Sequence, residues 1–212
     1  MPWATSCRAK MAPESDPYAR ISAALQGAAE PTSDFDLNGD QHLLANVKIR
    51  PAGVLCALED IGGRPHVILT KRSSRLKHHP GQIAFPGGKV DPGDADEVAA
   101  ALREAREEIG LPSEAVEVLG CLPPHRTVTA FQVTPVIARV TRPFTVVPEP
   151  GEVEEVFRVP LAHLLDVANY SVQSRRWNKA RRHYYTVPFG PYYIWGATAR
   201  MLRVLADTLG PA

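Results

Sequence analysis

The sequence predicts an α/β fold in which a mixed β-sheet lies between helices, and three observations carry that prediction. Short apolar or alternating runs at 53–58, 66–70, 116–122 and 131–140 have the lengths and patterns of strands. A strongly amphipathic segment at 94–110 interrupts them with the period of a helix. A second helical segment closes the chain at about 195–208. Strands around a central helix, with another helix at the end, read as a mixed sheet covered on both faces.

The elements follow in chain order. Residues 1–16 mix small, polar and Pro residues without periodicity and read as a frayed tail. Tyr18, Ile21, Ala24 and Leu25 recur at helical spacing up to Gly27, which predicts a short helix. Residues 28–46 are polar and read as an arm or linker, so the chain divides into an N-terminal arm, 1–46, and a main domain, 47–212, beginning where Val47 and Ile49 alternate. Two strands, Gly53–Leu58 and His66–Thr70, are joined by a turn through Asp60, Gly62 and Gly63. Asp94–Gly110 has a polar start, an Ala and Leu run and a terminal glycine, the start and stop signals of a helix. Strands are expected at Val116–Leu122 and Phe131–Val140, and helices at Leu161–Val167 and about Trp195–Thr208.

Composition narrows the function. At 212 residues the chain is long enough to bury a core without covalent staples. Cys7, Cys56 and Cys121 show no paired spacing, which argues for a reducing compartment and against a zinc cluster. With 24 basic and 23 acidic residues, no overall field recruits nucleic acid or an anionic membrane. No run approaches the ~20 apolar residues of a membrane span, and the N-terminus lacks the order of a secretory signal. A cytoplasmic protein without nucleic-acid or membrane partners is expected.

The central helix carries the chemistry. At 100° per residue, Val98, Ala101, Leu102, Ala105 and Ile109 share one face, while Glu104, Glu107 and Glu108 gather opposite. Like charges one turn apart repel, and Arg103 and Arg106 relieve only part of that. The stripe fits a solvated acidic face, and it also fits a hard divalent cation, since magnesium takes carboxylate oxygens and keeps waters and phosphate oxygens as further ligands. Upstream, Phe85-Pro86-Gly87-Gly88-Lys89 is a turn whose glycines allow the backbone to come close to a metal or phosphate.

These residues carry a resemblance. Gly88, Asp94 and Arg103-Glu104-Ala105-Arg106-Glu107-Glu108-Ile109-Gly110-Leu111 resemble the Nudix box, G-x5-E-x7-R-E-U-x-E-E-x-G-U, with U aliphatic. The second half matches at every fixed position. Asp94 stands where Glu is usual, with one extra residue before Arg103. The same departure occurs in the coenzyme A diphosphatase branch, whose motif is similar to Leu69-Thr70-Lys71-Arg72-Ser73, Leu76-Lys77-His78-His79 and Gly81-Gln82-Ile83-Ala84-Phe85-Pro86-Gly87-Gly88. Glu152–Phe157 and Ile194–Arg200 also resemble that branch, so the similarity spans about 47–205.

The resemblance implies a Nudix-type α/β/α sandwich and magnesium-dependent hydrolysis of the coenzyme A diphosphate, with manganese as a substitute ion. The products are 3′-phosphoadenosine 5′-phosphate and 4′-phosphopantetheine. It further implies that Glu104 and Glu108 hold the metal, that Glu107 binds a second ion or orients water, and that Arg103 positions these carboxylates. Lys71, Arg72, Lys77, His79, Gln82, Gly87 and Gly88 fall to the substrate, with His79 and Gln82 also fitting purely structural roles. The general base stays open among Glu107, Glu152, Glu154 and Glu155. The expected partner is a small nucleotide substrate, and the chain is a monomer or homodimer. Other Nudix substrates, such as nucleoside triphosphates, ADP-ribose or dinucleotides, share the chemistry, and a non-catalytic Nudix-like binding module is disfavoured because all three glutamates are retained. A second basic patch, Arg175, Arg176, Lys179, Arg181 and Arg182 beside Trp177 and Tyr184, has the interleaving of an RNA contact. The near-zero net charge favours a solvated loop or a substrate rim instead.

Overall fold

The computed structural model describes residues 16–27, 30–39, 47–177 and 180–210. Helices α1 (Pro17–Ala24), α2 (Glu97–Ile109), α3 (Leu161–Leu165) and α4 (Ala197–Leu209) accompany eleven strands among these residues. The strands are β1 (Thr32–Ser33), β2 (Arg50–Ile61), β3 (Arg64–Arg72), β4 (Ile83–Ala84), β5 (Gly87–Lys89), β6 (Val116–Cys121), β7 (His125–Arg126), β8 (Phe131–Val140), β9 (Val153–Pro160), β10 (Ser171–Trp177) and β11 (Ala180–Thr186). Nine form one sheet, ordered β1-β7-β8-β2-β3-β4, with β5 on β2, β6 on β8 and β9 on β3. The β2–β8 and β1–β7 pairs are parallel and the others antiparallel, so the sheet is mixed.

Both faces of the sheet are buried, as the α/β reading expects. Successive strand residues point to opposite sides. Leu55, Ala57, Ile68, Val136 and Ala138 pack with Ala101, Ala105 and Ile109 of α2. Cys56, Leu58, Val67, Leu69 and Ile137 pack on the other side with Leu161 and Leu164 of α3 and Leu202 and Leu205 of α4. Side chains such as Leu55, Leu58 and Ile68 are fully buried, and each contributes roughly 1.5–3 kcal/mol to folding.

The N-terminal segment is more tightly joined than a loose arm. Asp16 caps α1 by accepting from the Tyr18 N–H at 3.1 Å, while Tyr18 and Ile21 are buried in the α4-side core. Residues 30–39, read as linker, instead supply β1 and the buried Phe35. Thr32 Oγ1 and Asp34 Oδ1 lie 2.9 and 3.2 Å from the two ring nitrogens of the buried His125. One apolar residue and a short polar ladder are too little periodicity to see in sequence. The tail read at 1–16 lies, apart from Asp16, outside the described residues.

Other boundaries moved for local reasons. The first two strands extend to Arg50–Ile61 and Arg64–Arg72 around a turn in which the Gly63 N–H donates to Asp60 Oδ1 at 2.8 Å. Helix α2 begins at Glu97, because Asp96 is its cap and accepts from the Ala99 N–H. Gly110, with φ 74°, closes it in the left-handed conformation. Helix α3 stops at Leu165, short of Val167. Helix α4 starts at Ala197, because Gly196 at φ 66° breaks the chain direction after Trp195. None of the described helices is long and apolar enough to cross a membrane.

Candidate functional site

The site forms where α2 lies across β2 and β5, and glycines make that approach possible. Strand β5 pairs with β2 so that Gly53 stands opposite Gly88, and Val54 opposite Gly87. A Cβ on Gly53 would come 1.8 Å from the Glu97 carbonyl oxygen, and one on Gly88 would come 2.3 Å from Glu104 Oε1. The helix backbone therefore rests on Gly53, and the Glu104 carboxylate rests on Gly88. Gly53 was not singled out from the sequence. A glycine inside an apolar strand run is the signal of such a close approach.

The three glutamates of α2 separate. Glu108 sits beside the apolar face, as its 340° position relative to Ala101 requires, and is only 4% exposed. This corrects the expectation that it stands opposite the apolar residues. Glu104 is half-buried, while the Glu107 side chain is 59% exposed. Among the described residues no three His, Cys, Asp or Glu side chains are gathered as a metal centre. Glu104 and Glu108 form the inner pair.

Arg103 links the surrounding acids. Its Nε and Nη2 donate to the two oxygens of Asp94, each at 2.9 Å, a bidentate pair of high directional specificity. Its Nη1 donates to Glu104 Oε1 at 3.0 Å and to Glu107 Oε2 at 3.1 Å. Hydrogen bonding to Arg103 lowers the Asp94 carboxyl below its ordinary value. Asp94, the position that departs from the Nudix box, is thus an anchor for Arg103 in the loop before α2.

Electrostatics single out Glu108. Burial pushes its carboxyl up to about 8, although the Gly87 N–H donates to Oε2 at 3.2 Å and Arg72 Nη1 lies 3.9 Å from Oε1. Burial also raises Glu104. Two under-compensated carboxylates against a glycine backbone are an all-oxygen donor set that fits a hard divalent ion, which keeps several waters in its own shell. A titration follows. A carboxyl whose value in the fold exceeds the ordinary 4.5 adds stability below 4.5, and that contribution is lost as pH rises through about 8. In chelator, wild-type melting temperature should fall between pH 5 and 8 relative to Glu108→Gln; parallel curves would contradict this assignment.

The remaining predicted residues are dispersed. Arg72 faces Glu108, whereas Lys71 on the neighbouring strand position pairs with Glu154 Oε1 at 2.7 Å. Lys77, His78 and His79 are exposed on the loop after β3, and His79 adopts a left-handed φ of 56°. Gln82 lies toward Gly196, whose Cβ would stand 3.8 Å from Nε2. Of the later glutamates, Glu154 holds Lys71 and the Ser74 N–H, and Glu155 accepts from the Tyr192 hydroxyl. Glu152 is the one whose charge acts on both Glu104 and Glu108. Its loop is fastened to the end of α2, since the Glu149 N–H donates to the Glu108 carbonyl at 2.9 Å, and to β3, since the Ser73 N–H donates to the Glu152 carbonyl at 2.7 Å.

Comparison with known proteins agrees with this geometry. The NUDIX domain profile matches residues 49–183. The chain is 45% identical over 186 residues to an uncharacterized Nudix hydrolase NudL of Cronobacter sakazakii, covering 84% of this chain and 92% of that protein. It is 43% identical over 155 residues to a protein of the same description from Citrobacter koseri, covering 69% and 77%. Solved structures with similarity include a C. elegans Ap4A hydrolase binary complex, 23% identical with TM-score 0.47 over 58% of this chain and 88% of that one. Another is the M. smegmatis Nudix hydrolase RenU, 27% identical with TM-score 0.43 over 55% and 74%. The profile match and the identity across nearly the whole of a relative, on a chain whose Glu-rich helix rests on a glycine turn, establish that this protein belongs to the Nudix family and is a diphosphate hydrolase.

Proposed function

We propose that this hydrolase cleaves coenzyme A or a derivative at its diphosphate, releasing 3′-phosphoadenosine 5′-phosphate and 4′-phosphopantetheine. The observation that carries the reading is the continuity of the Leu69–Gly88 run with the carboxylate helix. That run supplies β3, the basic loop, β4 and β5, and it ends on the glycines that support Glu104 and Glu108.

In this reading Glu104 and Glu108 hold magnesium, or manganese in its place, and Glu107 is a further ligand at the outer edge. A bound divalent ion supplies charge neutralisation on the non-bridging phosphate oxygens and lowers the pKa of a water. Asp94 fixes Arg103, and Arg103 fixes Glu104, so the carboxylate loses little freedom on ligation. The Arg72 guanidinium, beside Glu108, is positioned to meet a phosphate oxygen with charge-assisted hydrogen bonds. Gly87 and Gly88 offer backbone close to the diphosphate. The exposed Lys77 and His79, with Gln82 behind them, border the entry, and Lys71 becomes available when its solvent-screened surface pair with Glu154 opens.

Substrate choice is tested at the 3′-phosphate, which separates coenzyme A from dephospho-coenzyme A. At least one of Lys71, Arg72 and Lys77 reads it. A charge-assisted hydrogen bond is worth roughly 1.5–3 kcal/mol, so kcat/KM should favour coenzyme A by about one to two powers of ten. Alanine at the reading residue should shrink the gap by slowing coenzyme A cleavage. Equal kcat/KM values for the two substrates in the wild type would remove this phosphate as a determinant.

A further inference from the structure

The β10–β11 ribbon carries an arrangement that the diphosphate site does not use. Its register sets Arg175 directly opposite Arg182 and Arg176 directly opposite Arg181. Like charges facing each other across two strands destabilise the pair. Among the described residues no carboxylate pairs with Arg175, Arg176 or Arg181. The ribbon is nonetheless held firmly at its base. The Gly196 N–H donates to the Tyr185 carbonyl at 3.0 Å, and Asn38 brackets His183 by donating to its carbonyl and accepting from its N–H. The Arg176–Arg181 pair lies on the opposite side of the ribbon from Arg175, because successive strand residues alternate, so Arg175 is the one of these three that shares a face with Tyr184.

Aromatic rings stand beside these charges. Tyr184 meets Trp195 edge-on with centroids 5.1 Å apart, and its hydroxyl lies 3.5 Å from that of Tyr193. The Arg175 guanidinium lies over the Trp195 ring at 5.4 Å, and Tyr193 is 46% exposed. This cluster adjoins the substrate motif through two contacts. Gly196, which follows Trp195, faces Gln82, and Thr198 Oγ1 donates to the Ile83 carbonyl at 3.1 Å. An open ring beside a guanidinium is the chemistry that recognises a planar, hydrogen-bonding base.

We infer that Tyr193 and Trp195, with Arg175, form the subsite for the base of the nucleotide half of the substrate. The inference rests on a nucleotide-containing diphosphate as substrate, and it does not require that the nucleotide be coenzyme A. Stacking on one aromatic ring commonly accounts for about tenfold or more in affinity.

The test is equilibrium binding of AMP and of 4′-phosphopantetheine to the full chain, in the wild type and in Tyr193→Ala, Arg175→Ala and Arg176→Ala. Melting temperature and coenzyme A hydrolysis are measured alongside. Tyr193→Ala and Arg175→Ala are expected to weaken AMP binding about tenfold each, and Arg176→Ala, on the other side of the ribbon, to leave it unchanged, with 4′-phosphopantetheine binding and melting temperature unchanged throughout. Failure of the wild type to cleave coenzyme A, with AMP binding still lost in the variants, would sink the substrate reading and keep the subsite. Unchanged AMP affinity in both variants would overturn the subsite, whatever substrate is cleaved. Loss confined to a short single-stranded RNA probe would overturn it in favour of a nucleic-acid surface.

Discussion

Glu104→Gln and Glu108→Gln are each expected to lower kcat for diphosphate hydrolysis by about 10²–10³-fold at saturating magnesium, a loss typical of removing one electrostatic element of a transition-state site. The amide keeps the volume and an acceptor for the Gly87 N–H, so the fold should survive. Glu108 is the more informative position. Its carboxyl is buried and raised to about 8, so removing the charge should hold or improve the melting temperature of the metal-free protein while abolishing turnover. Opposite movements of stability and rate are the signature of a functional carboxylate held against its solvation preference. A rate within a few fold of wild type in either variant would contradict its role as a metal ligand.

The second large effect falls on a residue with no side chain. Gly53→Ala would drive a methyl group to 1.8 Å from the Glu97 carbonyl oxygen and 2.8 Å from its carbon, both backbone atoms of the first turn of α2. No side chain can rotate away, so the helix itself must rise from the sheet. Overpacking against movable side chains costs about 1–3 kcal/mol, and displacement of a helix should exceed that. At about 2–4 °C per kcal/mol for a chain of this size, melting should fall by roughly 10 °C or more. The rate should fall too, since Glu104 and Glu108 ride on the same helix. Gly93→Ala is the matched control, because its Cβ would meet nothing within 4 Å. Similar melting temperatures for the two variants, read by calorimetry, would refute this packing.

The legible parts of the molecule were those encoded locally. Helix α2 declared itself through period, a polar start placed at Asp94 ahead of the true cap Asp96, and Gly110, and β8 through its run from Phe131 to Val140. Strands β4 and β5 have two and three residues, so their pairing depends on β3 and β2 and leaves no period to read. Strand β9 hides its alternation behind Glu154 and Glu155. The β10–β11 ribbon, legible in sequence only as a basic patch fitting a solvated loop or a substrate rim, shows no strand pattern because its arginines mask it. Within the site, the Nudix-box residues were visible in advance, yet the division of labour was not. The helical period alone sets Glu108 beside Ala101, against the expectation that it stands opposite the apolar residues, while the depth of its burial depends on how closely α2 approaches the sheet, which Gly53 and Gly88 allow. Likewise Lys71 and Arg72 are adjacent in sequence but are recruited by different carboxylates, because successive strand residues face opposite ways.

The most direct measurement is product identification across a substrate panel with magnesium: coenzyme A, dephospho-coenzyme A, ADP-ribose, a dinucleoside polyphosphate and a nucleoside triphosphate. The highest kcat/KM is predicted for coenzyme A, with 3′-phosphoadenosine 5′-phosphate and 4′-phosphopantetheine released in equal amounts and no turnover in chelator. A higher kcat/KM for ADP-ribose, the dinucleotide or the triphosphate would contradict the coenzyme A assignment, and magnesium-independent turnover would contradict the carboxylate site itself.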